Sequence, residues 1–242
     1  MKWGFFTVTH IVSLILAAGM LVGLYFALRK RSRKTQTAVL GVLSFLGIAA
    51  IIYNLLRWDE PLAYLPLHLC SINAMILPVV VFTRNKTMGN LLLVWCLGAL
   101  AALVLNFEMV DVEIFGEVFF FYYFPHVMEF GIPILLVKLG HVQKDPKCIG
   151  STMGITMLIY TFVHFMNLLV NHLCAVQGMD LRVNYMFSLE ATNPLTALFY
   201  KLIPYPYWHM YMVLPIVFVY LLAVYSPQIR GKIKQRHAAT AK

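Results

Sequence analysis

Apolar runs of about 20 residues, the length a helix needs to cross a bilayer, recur at roughly 5–28, 37–56, 64–82, 88–106, 117–138, 149–172 and 207–226. The pattern predicts an all-α polytopic membrane protein, a seven-transmembrane-helix bundle forming one integral membrane domain over 1–242. The third run is the weakest, because Pro66 and Pro78 interrupt it and His68 and Asn73 lower its hydropathy. Proline is tolerated in such helices where neighbours satisfy the freed backbone groups. Between the last two runs, 173–206 is too apolar for a solvent loop and too long for a plain connection. It ends in Pro204-Tyr205-Pro206-Tyr207-Trp208, aromatics that favour the membrane–water interface, and reads as an interfacial, lid-like segment. Gly19-x-x-x-Gly23 and Gly150-x-x-x-Gly154 predict close helix approach.

Composition agrees: 61% of the 242 residues are hydrophobic, 12% are charged, and mean hydropathy is +0.77, more than a soluble core uses. Charge adds an orientation. Fifteen of the 19 Lys and Arg fall in alternate segments: Arg29–Lys34, Arg84 and Lys86, Lys138 to Lys147, and the tail from Arg230 through Lys232, Lys234 and Arg236 to Lys242. Eight of the ten Asp and Glu fall on the other side. Such alternation predicts an outside N-terminus and a cytosolic C-terminus. The net charge of +9 is therefore topology, with some attraction to anionic lipid, and signals no nucleic acid. The first run carries only Lys2 ahead of it and its basic cluster behind, which fits a reverse-oriented span better than a cleaved leader.

Candidate chemistry gathers at one depth. Ionisable groups in a bilayer are expensive and mark sites, and His10, His68, His126, His164, His172 and His209 all fall toward the outer side. At about 1.5 Å per residue, Cys70 lies about 9 Å, His126 about 13 Å and His164 about 12 Å from the outer ends of their runs. In a regular helix His68 points away from Cys70, whereas Asn73 shares its face. Tyr122, His126 and Glu129 form one stripe; Tyr160, His164, Asn167 and Asn171 form another. A base for Cys70 has to come from one of them. Glu129 is the one carboxyl expected deep in the membrane, available to orient His126 or to bond across helices. Cys70, Cys96, Cys148 and Cys174 show no CxxC spacing, so no metal site or disulfide framework is signalled, and no cofactor is expected.

A buried thiol is inert until a neighbouring imidazole takes its proton. A resulting thiolate can attack a lipid ester, with Asn73 near the developing oxyanion. A lone membrane cysteine also serves as a small packing residue. Two other classes stay open: a His/Glu-lined metal or proton-coupled carrier, and a non-catalytic lipid-binding bundle. A retinal-type receptor is disfavoured, since 207–226 holds no lysine.

Leu65-Pro66-Leu67-His68-Leu69-Cys70-Ser71-Ile72-Asn73, followed in order by Phe124-Pro125-His126, Asn184-Tyr185-Met186-Phe187 and Tyr205-Pro206-Tyr207-Trp208, resembles the bacterial YwaF-type membrane proteins and the transmembrane protein 164 family. The resemblance implies a multi-pass acyltransferase moving fatty acyl chains between glycerophospholipids, with phospholipid and lysophospholipid as substrates and a lyso-ether lipid as acceptor in animal members. It implies Cys70 as nucleophile and His126 as leading base, with His68, Asn73, Glu129, His164, Asn167, Asn184 and Tyr185 supporting catalysis or substrate binding. The family is also distantly similar to androgen-induced fatty-acid-ester hydrolases, which use a threonine and a histidine. The expected location is the plasma membrane in a bacterium and an endomembrane in a eukaryote.

Overall fold

The computed structural model describes the backbone of residues 1–240 and the side chains of residues 1–231, apart from which lie the tail cations Lys232, Lys234, Arg236 and Lys242. Among the described residues there are nine α-helices: α1 (Val8–Leu28), α2 (Arg33–Ser44), α3 (Leu46–Arg57), α4 (Leu69–Thr83), α5 (Lys86–Leu105), α6 (Glu117–Lys138), α7 (Cys148–Val176), α8 (Pro194–Leu202) and α9 (Val213–Thr240). Six stretches among them are long and apolar enough to cross a membrane: Val8–Leu28, Arg33–Arg57, Lys86–Leu105, Glu117–Lys138, Cys148–Val176 and Trp208–Gly231. The chain is an all-α, multi-pass integral membrane protein.

The run expected over 64–82 differs. Only α4, 15 residues long, forms there, about 22 Å at the helical rise and short of the hydrocarbon thickness. Pro66 has no N–H and pushes Leu65 out of helical geometry, so Pro61–Tyr64 makes a 3-10 turn and the α-helix waits until Leu69. The run over 37–56 is likewise two helices, α2 and α3, meeting at Phe45. Side-chain caps set other starts: Thr7 accepts from the His10 N–H, Ser32 from Thr35 and Asn85 from Met88.

Two compact units divide the chain, Met1–Val142 and Gln143–Lys242. In the first, α6 touches each of α1 to α5, α5 most extensively, while α4 packs against α2, α3, α5 and α6 and leaves Met75, Val79 and Phe82 exposed. Enclosure by protein is what permits a broken helix at membrane depth. Close approach occurs at Gly47, where a Cβ would lie 2.5 Å from Ala74 Cβ, and at Gly131, against the Leu21 side chain. The expected Gly19/Gly23 and Gly150/Gly154 motifs do not serve this purpose, since a Cβ on any of the four meets nothing within 4 Å. The N-terminal residues close one end of the unit: Trp3 N–H donates to Val112 O (2.8 Å), Gly4 N–H to Val110 O (2.9 Å), and the Trp3 indole to Ser13 Oγ (2.9 Å).

In the second unit α7 runs to Val176, a turn beyond the expected 172. The segment that follows folds back with the nine-residue α8, started by an Asn193/Thr196 capping box and Pro194. A 3-10 turn, Trp208–Met212, then leads into α9.

Candidate functional site

Cys70 occupies the second position of α4, two residues after the N-cap residue His68. The backbone of His68 is extended (φ −75°, ψ 152°), so it stands outside the helix. The regular-helix geometry expected to turn it away from the thiol therefore does not apply, and the depth counted for Cys70 from residue 64 does not either. His68 gives no side-chain cap. The first-turn N–H groups of α4, at the positive end of the helix dipole, therefore receive no bond from the N-cap side chain. The half-buried thiol sits against the N–H groups of Cys70 and Ser71 and the Ser71 hydroxyl.

Two buried polar residues complete this corner. Asn73, 1% exposed, has neither side-chain polar atom hydrogen-bonded, and Glu129, 3% exposed, leaves Oε2 without a partner. The Asn73 amide faces the Glu129 carboxyl without closing to a hydrogen bond. Cys70, Tyr122 and Glu129 lie within electrostatic range of one another. Gly47 permits this, since Glu129 Oε1 lies 3.1 Å from where its Cβ would be. Unsatisfied buried polar groups are costly, and three on two facing helices mark a place prepared for polar atoms.

His126 rises on the same α6 stripe. Its Nδ1 lies 2.7 Å from the Tyr122 carbonyl; a carbonyl only accepts, so Nδ1 bears the proton and Nε2 presents its lone pair. The ring rests on Tyr122 at 4.3 Å between centroids, and Tyr122 is itself tied to Ala102 O at 3.1 Å. No hydrogen bond joins Cys70 to His126. Both residues belong to the first unit.

The second polar stripe is hydrogen-bonded to the segment that follows α7. Asn167 accepts the Tyr185 N–H (2.8 Å) and donates to Tyr185 O and Ser188 Oγ (2.8 Å each), pairing as a strand would. Asn171 exchanges the same two bonds with Val183, at 2.7 and 2.9 Å. His164 Nδ1 meets Ser188 Oγ at 3.1 Å, and Tyr160 donates to Tyr207 O at 2.7 Å. This stripe fastens 183–207 along α7. Asn184 folds inward on its own segment, accepting from Leu189 N–H and donating to Glu190 O. Tyr185 is 1% exposed, and burial pushes its phenol up to about 12. Near the end of α7 an open groove of about 450 Å³ runs between Leu168, His172 and Arg182.

Of the other outer-side histidines, two are hydrogen-bonded through a ring nitrogen and one is exposed. His10 meets Leu103 O through Nε2 (2.8 Å) and accepts the Phe6 N–H at Nδ1 (3.0 Å). His172 is exposed, and His209 is buried with Nδ1 at 3.2 Å from Tyr205 O. Among the described residues no three His, Cys, Asp or Glu converge as metal ligands.

No curated protein and no solved structure matches the chain. The TMEM164 family model matches residues 5–225, from before α1 into α9, and the chain belongs to the TMEM164 family.

Proposed function

We propose that the protein is a membrane acyltransferase that moves a fatty acyl chain from a glycerophospholipid to a lysophospholipid through a thioester on Cys70. The observation that carries this reading is the position of Cys70: a half-buried thiol at the start of a helix that has no N-cap side chain and packs against four others. There the amide groups of the first turn can receive both a thiolate and the oxyanion of a tetrahedral intermediate.

In the first half-reaction His126 Nε2 takes the thiol proton, directly as the site tightens or through one water. The thiolate sulfur attacks the ester carbonyl carbon. The carbon–oxygen bond breaks, and the departing lysolipid oxygen takes the proton from His126. In the second half-reaction a lysophospholipid hydroxyl gives its proton to His126 and attacks the thioester. The new ester forms as the Cys70 sulfur leaves and recovers the proton. Asn73 supplies an amide donor at this centre. Glu129 is protonated in this scheme and donates from Oε2, because an unpaired buried carboxylate is costly. With an outside N-terminus, as the charge pattern argues, the donor ester enters from the outer leaflet.

The test uses the full chain in lipid nanodiscs with an acyl-labelled phospholipid and a lysophospholipid. Wild type should acquire a hydroxylamine-labile acyl group on Cys70 and pass it on. Cys70→Ala should lose both activities while eluting and melting like wild type. His126→Gln should slow transfer by about 10²- to 10⁴-fold, the usual worth of a general base. Undiminished transfer by Cys70→Ala would sink the proposal.

A further inference from the structure

Away from the thiol corner, the first unit has an end built from three chain segments: 28–44, 83–89 and 138–142. They carry eight Lys and Arg and no Asp or Glu. Topology alone accounts for such charges, but not for their arrangement. Arg33 opens α2, and its Nη2 lies 3.3 Å from where a Cβ on Gly140 would be. Arg84 is the left-handed C-cap of α4 (φ 56°), and its Nη2 donates to Thr37 Oγ1 on α2 at 3.1 Å. His141 lies between these elements, 8% exposed, with Nε2 at 2.8 Å from Gln36 Oε1. Gln36 is fixed in turn, since its amide donates to Leu28 O and Arg31 O at 3.0 and 3.2 Å. The Gln36 oxygen therefore accepts from His141, which leaves His141 Nδ1 as a buried atom without a partner.

Both guanidinium groups act on His141 electrostatically, and neither meets a carboxylate among the described residues. Burial, with the two arginines adding, holds the imidazole below its ordinary value. Below the charges the surface turns apolar: Phe82 packs across Gly41 while staying 55% exposed, beside Val42 and Val79, also exposed. Unpaired cations above an open apolar seam complement a ligand with an anionic head and hydrocarbon tails.

We propose that Arg33 and Arg84, brought together beside His141 by α2, the end of α4 and the turn after α6, form a site for the phosphate of an anionic phospholipid. Arginine's planar fork suits phosphate oxygens in a way that lysine's point charge does not. The acyl chains lie along Val42, Val79 and Phe82. The site is separate from Cys70, and its failure would leave the acyl-transfer proposal untouched.

The experiment titrates the full chain in neutral detergent with phosphatidylglycerol, and in parallel with phosphatidylcholine, reading bound lipid by native mass spectrometry. Arg33→Gln/Arg84→Gln should weaken phosphatidylglycerol binding by about ten- to a hundredfold, the range for lost charge-assisted contacts. The charge-matched pair Lys30→Gln/Lys34→Gln should lose less than about threefold, because lysine lacks the planar fork that fits phosphate. Equal loss in both pairs, unchanged binding in the arginine pair, or equally tight phosphatidylcholine would overturn the site. Complete displacement by 10 mM inorganic phosphate would overturn the lipid assignment. Should the glutamine pair fail to fold, Arg33→Lys/Arg84→Lys decides: it retains both charges, so weakening by threefold or more supports a fork-specific site and unchanged binding refutes it.

Discussion

At the scale of single residues, the thiol corner depends on one absent side chain. Gly47 lets α3 approach until Ala74 Cβ lies 2.5 Å, and Glu129 Oε1 3.1 Å, from a would-be Cβ. Ala74 belongs to the wall of α4 and is only 1% exposed, so it has little room to yield. Gly47→Ala should therefore destabilise despite the better helix propensity of alanine, by about 1–3 kcal/mol as overpacking does. Thermal melting in detergent checks the sign: a higher melting temperature would mean that α3 moves away freely. Hydropathy could not reveal this contact, because a glycine inside an apolar run looks the same whether or not a neighbour presses on it. Gly19 and Gly23 have the motif spacing and no contact, whereas Gly47 has the contact and no motif.

Helices were legible to the degree that each is a self-contained apolar run. The boundaries of α6, Glu117–Lys138, coincide with the expected 117–138, because charge and a glycine bracket the run. The start of α4 was not legible: Pro66 forecasts disruption, but only the neighbouring helices decide that the chain remains unwound through His68 instead of kinking and continuing. The polar stripe of α7 illustrates a second limit. Tyr160, His164, Asn167 and Asn171 were recognisable as sharing a face, yet their partners are main-chain and hydroxyl groups 12 to 47 residues away. Periodicity tells which way side chains point and not what they meet. At this scale Asn167→Ala removes three hydrogen bonds, one from the Tyr185 N–H and one each to the Tyr185 carbonyl and Ser188 Oγ. The cost is about 1–3 kcal/mol for a lost buried partner, confined to the returning segment. Hydrogen exchange should show lower protection across 183–188 and unchanged protection in α5 and α6. Uniform loss along the chain would mean that Asn167 supports the fold as a whole.

For the molecule as a whole, acid sensitivity follows from His141. Its folded-state value lies below the usual imidazole range, chiefly through burial and further through Arg33 and Arg84. A lowered histidine contributes stability that is complete above the unfolded value near 6.5. That contribution is lost as pH falls from there toward the folded value, because the unfolded chain then binds the proton more readily. Wild type should melt at a lower temperature at pH 5 than at pH 7.5, and His141→Gln should flatten that difference. An equally steep dependence in the variant would assign it to other groups.

The uncapped first turn of α4 has a consequence for how the protein tolerates change. A Ser, Thr, Asp or Asn at a helix N-cap is ordinarily worth about 1 kcal/mol, and position 68 holds a histidine that provides none of it. That shortfall is a local weakness kept in an otherwise well-packed unit. Substitutions that repair it would fill the amide groups from within the chain and shut out an ester oxygen. Under the acyl-transfer proposal, selection for heat tolerance and selection for activity would therefore pull this one position in opposite directions.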